Sequence, residues 1–329
     1  MSQPRCPLCG GATSELLTLT SDFRQGRKRR YAVWFCQVCE LGVTATALWQ
    51  DDVLQSVYGD EYQPHQAVSR PATGWRKRLT ATALAGFGYP QPDSLLLPAF
   101  TQRLFARIRG WTWMPPPPPP GRLLDVGCGS GAYAVSVQRL GWQVEGVEPS
   151  ARAARLARQE GVLVYQSRIE DVDLSGKRYD AITLWHSLEH LAAPVPVLRK
   201  LRSALNSKGL LIVETPNFRG WGAKLMGEFW FHWDLPRHQL HFSPKSLRRA
   251  LELGGFRLIQ MEHIPNPYGL AGGVAYRWHN IRFAKNALLC SAGWLFGWIA
   301  ALFHHGDVIR AIAIPHEEDS PAVTAVQQE

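Results

Sequence analysis

The sequence has little that would send the chain out of the cell or across a membrane. Its first residues, MSQPRCPLCGG, contain no apolar core of the kind found in signal peptides, so we expect a cytoplasmic protein. An uncharged apolar stretch at 287–303 is at the short end for a helix that crosses a bilayer. We expect this stretch to be buried, to lie between subunits, or to rest on the inner face of the membrane, preceded by basic residues.

Cysteine is also scarce, and its spacing excludes a disulfide scaffold. The chain has six Cys in 329 residues, whereas disulfide-rich folds are short secreted chains. Four of the six form two pairs, CPLC at 6–9 and CQVC at 36–39, and a predicted strand at 31–36 leads into the second pair. Two such turns aim four thiolates at one point. This predicts a closed, structural zinc site in a small ribbon, with these ligands: Cys6, Cys9, Cys36 and Cys39.

Acidic residues are outnumbered by basic ones. The chain has 36 Lys and Arg against 27 Asp and Glu, a net charge of +9, and one dense basic run, RQGRKRR, at 24–30. A basic surface favours anionic partners such as phosphorylated substrates, nucleic acid or anionic lipid. The alternative is a solvated loop in a somewhat basic protein.

The pattern along the chain predicts several units. Residues 98–111 have helical spacing, with Phe100, Leu104 and Ile108 on one face, and six prolines at 115–120 end that helix and form a stiff spacer. From 121 onward, apolar runs of strand length alternate with helical stretches, which indicates a parallel sheet with helices on both faces. The predicted strands are 122–126, 142–148, 162–166, 179–185, 209–216 and 256–264. We expect a zinc ribbon (1–48), a helical segment with a polyproline linker (49–120), a core domain (121–264), an apolar helical insertion (265–305), a last strand (306–315) and a disordered tail (316–329).

A glycine-rich loop, LLDVGCGSG at 123–131, lies between the first core strand and its helix. Glycines at 127, 129 and 131 let the backbone turn tightly and approach a ligand, and Asp125 adds a carboxylate at the strand end. Glu148 ends the second strand, where an acidic side chain can accept hydrogen bonds from ribose hydroxyls. The loop lacks the lysine of a nucleotide-phosphate site, and its glycine spacing differs from the nicotinamide fingerprint.

Five motifs in order resemble the class I S-adenosylmethionine-dependent methyltransferases. They are LLDVGCGSG, GVEPS (146–150), SRIEDV (167–172), YDAITLWHSLEHL (179–191) and GLLIVETPN (209–217). The resemblance implies an α/β, Rossmann-like sheet of seven strands whose last strand, GDVIRAIAIP at 306–315, is antiparallel. It also implies a cofactor site in which the loop with Gly127, Gly129 and Gly131 holds the methionine moiety, Glu148 holds the ribose, and Arg168 with Ile169 holds the adenine. A closer resemblance is to bacterial methyltransferases with an N-terminal zinc ribbon, although Glu40 stands where that ribbon more often has glycine.

The stretch LWHSLEHL at 184–191 follows the fourth core strand, where open α/β sheets bind ligands. Methyl transfer to a hydroxyl or amine needs alignment of the reacting atoms and removal of a proton. Three interpretations stay open: His190 or His186 is a general base oriented by Glu189, the three residues bind a divalent metal, or they brace the cofactor loop. Ubiquinone-type O-methyltransferases look similar here but have Glu at the position of His186, which disfavours a magnesium site.

A second histidine-rich stretch, FWFHWDLPRHQLHF at 229–242, follows the fifth core strand. It contains His238, a further catalytic candidate, and we expect it either to wall an acceptor pocket or to be a packed loop. We expect an S-adenosylmethionine-dependent O-methyltransferase acting on a saccharide or another small or lipid-linked acceptor. The alternatives are an RNA methyltransferase that clamps its substrate with the basic ribbon, and a non-catalytic zinc-ribbon module with a degenerate methyltransferase domain.

Overall fold

The structure is a computed structural model that describes residues 3–19, 31–45, 74–92, 97–278 and 286–316. The basic run at 24–30, the residues from 46 to 73 and the expected tail after 316 lie outside the described residues. The strands are β1 (Ser14–Leu19), β2 (Tyr31–Cys36), β3 (Leu41–Thr44), β4 (Arg122–Val126), β5 (Gln143–Val147), β6 (Leu163–Tyr165), β7 (Tyr179–Trp185), β8 (Leu205–Pro216), β9 (Leu240–His241), β10 (Phe256–Ile264) and β11 (Val308–Pro315). The α-helices are α1 (Trp75–Gly86), α2 (Ala99–Gly110), α3 (Ala132–Gln138), α4 (Ala151–Gln159), α5 (Pro194–Ala204), α6 (Trp221–Met226), α7 (Pro244–Leu253), α8 (Tyr268–Arg277) and α9 (Ala287–Leu302).

The larger sheet has seven strands in the order β10-β11-β8-β7-β4-β5-β6. Strands β4, β5, β6, β7 and β8 are parallel to one another, whereas β11 is antiparallel to both of its neighbours. The order reverses beside β4, and open α/β sheets bind ligands at such a point, at the carboxyl ends of the strands. The expected seven-stranded α/β sheet with an antiparallel last strand is confirmed.

Both faces of this sheet are covered by helices. The neighbouring residues Leu123 and Leu124 of β4 are fully buried in two different apolar clusters, because side chains alternate between the faces of a strand. This is why adjacent positions of a central strand such as β4 can both be apolar. Helix α7 begins with a capped first turn: Ser243 accepts a hydrogen bond from the backbone N–H of Ser246, and Pro244 occupies the first turn.

The smaller sheet joins the N-terminal segment to the core domain. Its order is β1-β2-β3-β9, and the strand β9 comes from the segment that precedes α7. Gly42 and Val43 of β3 pair with His241 and Leu240 of β9, respectively. The N-terminal segment is therefore in direct contact with the core domain, because its strand β3 pairs with strand β9 of that domain.

Helices α2 and α9 expose apolar surface. Phe100 of α2 is 83% exposed, and Leu104 and Ile108 on the same face are exposed too. In α9 the buried residues are small, namely Gly293, Gly297 and Ala300, whereas its leucines and Trp298 face outward. The expectation of a buried 287–303 segment therefore fits the backbone contacts of α9 but not its large side chains. Within the described residues, no helix combines the length and apolarity needed to cross a membrane.

Candidate active site

The loop after β4 brings backbone close to its neighbours. Gly127 and Gly131 have φ angles of 76° and 83°, in the left-handed region that glycine adopts without strain. A Cβ atom at 127 would lie 2.7 Å from the Cβ of Ser187, and one at 131 would lie 2.9 Å from the Cβ of Ala157. The loop can therefore lie against both the loop after β7 and helix α4 only because these positions lack side chains.

Two acidic side chains flank this loop. Asp125 ends β4 and accepts a hydrogen bond from the Thr183 hydroxyl at 2.8 Å, and its burial raises the pKa of the carboxyl to about 7. Glu148 follows β5 and accepts from the backbone N–H groups of Gly129 (3.0 Å) and Ser150 (2.8 Å). Burial raises the pKa of Glu148, although these two hydrogen bonds oppose the rise. The carboxylate of Glu148 is thus fixed beside the loop.

Arg168 and Ile169 lie after β6, at the same edge of the sheet. The side chain of Ile169 is buried, and its carbonyl accepts a hydrogen bond from Nζ of Lys200 at 3.0 Å. Nη2 of Arg168 lies 3.5 Å from Oε1 of Glu170, and its side chain is largely accessible. The loop therefore places a buried apolar side chain and a half-exposed basic one next to the carboxyl end of β6.

His186 is held between two carboxylates. Its Nδ1 lies 3.2 Å from Oε1 of Glu189 and its Nε2 lies 3.4 Å from Oε1 of Glu214 at the end of β8. Burial favours the neutral imidazole, but the two carboxylates outweigh it and raise the pKa of His186 to about 10. The same pairing lowers the pKa of Glu189 to about 2 against the effect of its burial. At neutral pH the three side chains form an imidazolium between two carboxylates.

His190 and His238 lie on the other side of Glu189. Each Nδ1 is hydrogen bonded to a backbone carbonyl, that of Arg237 for His190 (2.9 Å) and that of His232 for His238 (2.8 Å). These bonds place the proton on Nδ1 and the lone pair on Nε2. One ligand atom from each of Glu189, His190 and His238 lies within 4.8 Å of the others.

The cluster of Glu189, His190 and His238 offers lone pairs on carboxylate oxygens and ring nitrogens. Burial lowers the pKa of His238 to about 4, so its ring is neutral at pH 7. Oε2 of Glu189 is buried and has no hydrogen-bond partner among the described residues. One carboxylate oxygen of Glu189 and one ring nitrogen from each of His190 and His238 are close enough together to hold a cation, either a proton in transit or a metal ion.

The stretch at 229–242 is a packed layer. Trp230, Arg237 and Phe242 are fully buried, and Arg237 donates two hydrogen bonds to Oδ1 of Asp234, at 2.9 and 2.6 Å. The ring of His232 stacks 6.5 Å from the ring of His186. The packed-loop alternative describes most of this stretch, while His238 joins the cluster around Glu189.

A cavity of about 680 Å³ opens at the carboxyl ends of β7 and β8, where Trp185, His186 and Glu214 line it. Helices α1, α2 and α3 provide its other walls. Sequence reasoning missed Glu214 and Arg310, which contribute to this wall. Glu214 could have been noticed, since it ends a core strand as Asp125 does. Nothing in the local sequence marks Arg310 as a site residue. Its guanidinium, on β11, donates two hydrogen bonds to the carboxylate of Glu214 on the adjacent strand β8.

The four paired cysteines converge. One sulfur from each of Cys6, Cys9, Cys36 and Cys39 lies within 4.8 Å of the others, and the sulfurs of Cys9 and Cys36 are 3.7 Å apart. Four thiolates around a zinc ion at about 2.3 Å stand about 3.8 Å apart, so the donor set fits a tetrahedral zinc site. The remaining cysteines, Cys128 and Cys290, lie in the glycine-rich loop after β4 and in α9, away from this group.

The strand that follows these cysteines touches the histidine layer. The hydroxyl of Thr44 donates to the carbonyl of His238 at 2.7 Å and lies 2.9 Å from Nε2 of His241. The backbone N–H of Gln239 donates to the carbonyl of Glu189 at 2.9 Å. The backbone around His238 is therefore clamped between the cysteine-bearing segment and the loop after β7.

Comparison with known proteins places this site in a family. A family model described as a methyltransferase domain matches residues 96–261. The chain is 32% identical over 146 residues to a ubiquinone biosynthesis O-methyltransferase of Methylobacterium sp. (strain 4-46), a match that covers 40% of this chain and 58% of that protein. It is 33% identical over 163 residues to the ubiquinone biosynthesis O-methyltransferase of Nitrobacter winogradskyi, covering 45% and 61%. The chain thus spans little more than half the length of these relatives.

A solved structure with a similar fold is a SAM-dependent methyltransferase from Thermotoga maritima. It is 15% identical, the comparison covers 80% of this chain and 96% of that one, and the TM-score is 0.45.

Proposed function

Because the chain belongs to the methyltransferase-domain family, being a class I S-adenosylmethionine-dependent methyltransferase, we propose that it transfers a methyl group to a hydroxyl oxygen of a small acceptor. The observation that carries this proposal is one sheet edge that brings together two groups. The first is the glycine loop with Asp125 and Glu148, and the second is the cluster of His186, Glu189 and His190. The relatives named as O-methyltransferases favour oxygen as the methylated atom.

The residues around the glycine loop would hold the cofactor. When bound, S-adenosylmethionine would supply a methyl group carried by a positively charged sulfonium sulfur, which leaves readily as a neutral thioether. Asp125 provides a negative charge for the cofactor's cationic methionyl end, and Glu148 provides acceptors for the ribose hydroxyls. Ile169 offers an apolar surface for the adenine, with Arg168 beside it.

His190 is the best candidate to remove the acceptor's proton. Its Nδ1 is tied to the carbonyl of Arg237, so the lone pair for a proton lies on Nε2. His186 is already protonated between its two carboxylates and cannot act as a base, but its positive charge favours an acceptor oxygen that loses its proton. Glu189 links His186 to His238 and so couples the two parts of the cluster.

A divalent metal at Glu189, His190 and His238 is the alternative that the geometry favours most. Two imidazoles and one carboxylate are ligands that zinc or iron accepts more readily than magnesium. A metal there would bind and acidify the acceptor hydroxyl.

The His190→Ala variant tests these roles. If His190 is the base, the rate of methyl transfer should fall about 10²–10⁴-fold, the usual range for general-base catalysis, while cofactor affinity stays unchanged. His304→Ala, which alters an exposed histidine away from this cluster, is the matched control. If a metal is involved, a chelator should abolish transfer while the zinc of the four cysteines stays bound, and added divalent ions should restore transfer. Normal transfer by His190→Ala would rule out both roles.

We also propose that the four cysteines bind a structural zinc ion. All four coordination positions would be filled by protein thiolates, so no position is left for water or substrate. Burial raises the pKa of Cys6 to about 11, and a zinc ion would displace the proton that this thiol otherwise keeps.

We propose that the acceptor is a saccharide or another small molecule. If α2 and α9 rest on a membrane, the acceptor would be lipid-linked. Trp111, which follows α2, contacts Trp298 of α9 with ring centroids 4.1 Å apart, so the exposed apolar faces of the two helices are neighbours. Arg103 and Arg107 of α2 are exposed beside this surface. An apolar surface bordered by arginines suits the interface of a bilayer that contains anionic lipids.

A further inference from the structure

The cavity beside His186 carries positive charge that no carboxylate of the described residues balances. Lys77 of α1, Arg109 of α2 and Arg139 after α3 line it. Among the described residues, none of these three has a carboxylate within ion-pair distance. Arg310, at the other end of the cavity, differs because it pairs with Glu214 at 2.6 Å and with Glu262 at 3.6 Å.

Among the described residues that line the cavity, Glu214 is the one acidic residue, and its charge is already paired with Arg310 and His186. The three unbalanced cations therefore give the cavity a positive potential, which low-dielectric walls concentrate. Cations that share a cleft repel one another, and an anionic ligand removes that repulsion.

An aromatic wall connects the two ends of the cavity. The rings of Trp113 and Tyr133 are 6.5 Å apart, and those of Tyr133 and Trp185 are 5.0 Å apart. Trp113 is fixed by a hydrogen bond from its indole N–H to the Ser136 hydroxyl (2.9 Å), and the guanidinium of Arg109 lies 5.4 Å from the centre of its ring. A fixed aromatic wall suits a sugar ring or a planar ring. The volume of about 680 Å³ suits a small organic ligand.

We propose that this cavity binds the methyl acceptor, and that the acceptor is an organic anion whose phosphate or carboxylate group binds Lys77, Arg109 and Arg139. Its ring lies along the aromatic wall, and its hydroxyl lies at the His186 and Glu214 end. This inference rests on the proposed methyl transfer and adds the class of the acceptor.

The test measures anion binding directly, so it does not depend on finding the acceptor. The full-length protein, saturated with S-adenosylhomocysteine, is titrated by calorimetry with inorganic pyrophosphate and separately with succinate. We expect saturable binding of at least one of them, and the one that binds more tightly indicates phosphate or carboxylate. In the variant Arg109→Gln/Arg139→Gln that binding should weaken at least about 10-fold, as expected for lost charge-assisted hydrogen bonds. Arg103→Gln, on an outward position of α2, should bind like the unaltered protein.

Three results would overturn the inference. The first is no saturable binding of either anion, and the second is equal binding by the double variant. The third is a loss of S-adenosylmethionine affinity in the double variant that matches its loss of anion affinity, since the cations would then hold the cofactor's own carboxylate. Failure of methyl transfer itself would leave the anion titration intact, so the two failures can be told apart. A melting temperature within a few degrees of the unaltered protein shows that the variants fold.

Discussion

At the scale of the residue, His186 is the most constrained side chain of the site. Its φ angle of 50° is in the left-handed region, which costs a residue other than glycine about 1–3 kcal/mol. The backbone compensates in part, because the N–H of His186 donates to the carbonyl of Glu214 at 2.9 Å. The result is an imidazolium at the cavity wall whose position and charge are both fixed, as expected of a group that stabilises charge during a reaction.

Asp125 should make cofactor binding depend on pH. Its pKa of about 7 means that the carboxylate forms only above neutrality, and a cationic cofactor prefers the carboxylate. From pH 8 to pH 6 the affinity for S-adenosylmethionine should therefore fall about 10-fold, measured by calorimetry. Asp125→Asn should bind weakly with little dependence on pH. An equally pH-dependent affinity in the variant would contradict this role.

The same carboxyl should affect the stability of the cofactor-free protein. A folded-state pKa above the ordinary value of 3.8 means that the native state holds its proton longer than the unfolded chain does. Asp125 therefore contributes progressively less stability as the pH rises from about 4 to about 7. At pH 8, Asp125→Asn should melt at a higher temperature than the unaltered protein.

Glu40 shows what sequence alone could and could not predict. The sequence marks it as unusual, because ribbons of this kind more often have glycine there. The structure gives the reason: Glu40 has a φ of 55°, which glycine adopts most easily. Its carboxylate lies 3.4 Å from Nζ of Lys245 and 3.9 Å from Nε of Arg219, and these contacts join the ribbon to the core domain.

At the scale of the element, strand β9 connects the cysteine-bearing segment to the active site. It has two residues, too few for a pattern, and its pairing with β3 joins segments almost two hundred positions apart in the chain. Sequence periodicity could not predict it. Strand β7 was predictable because most of its residues are buried, on both faces of the sheet, and β7 and β10 both have the expected bounds, 179–185 and 256–264.

The candidate site was predictable to a similar extent. Residues that follow core strands could be placed at one sheet edge from the alternating pattern alone. Glu189 could be expected beside His186, but its second partner, Glu214, could not, because Glu214 reaches the ring from a separate strand.

Loss of the proposed zinc ion should reduce the rate of methyl transfer, because strand β9 connects the zinc ribbon to the candidate active site. Without the metal, the ribbon should not keep β3 in place, and Thr44 would no longer support the backbone at His238. We expect Cys36→Ser/Cys39→Ser to lose one zinc per chain by elemental analysis and to transfer methyl groups at least about 10-fold more slowly. Cys290→Ser, in α9, is the control and should retain both. Full zinc content in the double variant would refute the four-cysteine site.

At the scale of the whole molecule, the exposed apolar faces of α2 and α9 lie on the side of α2 opposite the cavity-lining residue Arg109 and its neighbours. Soluble monomers rarely expose so many large apolar side chains together without a partner. A membrane surface would cover them and, since α2 also forms a cavity wall, would bring the acceptor cavity near any lipid-linked acceptor.

This orientation predicts binding to vesicles. The protein should sediment with vesicles that contain anionic phosphatidylglycerol and much less with neutral phosphatidylcholine vesicles, and salt should weaken the binding. Phe100→Glu/Leu104→Glu should abolish it, because both side chains would have to enter the interface. Leu163→Glu, an exposed leucine on β6, is the control. Equal sedimentation of the double variant would argue against this face.

The most direct test of the central claim, that the edge of the seven-stranded sheet binds S-adenosylmethionine, is a calorimetric titration of the cofactor into the full chain and into Glu148→Ala. The account predicts one cofactor per chain. It also predicts that the variant binds about 10- to 150-fold more weakly, from the loss of about 1.5–3 kcal/mol in charge-assisted hydrogen bonds. Absence of binding to the unaltered protein, or equal affinity in the two proteins, would contradict it.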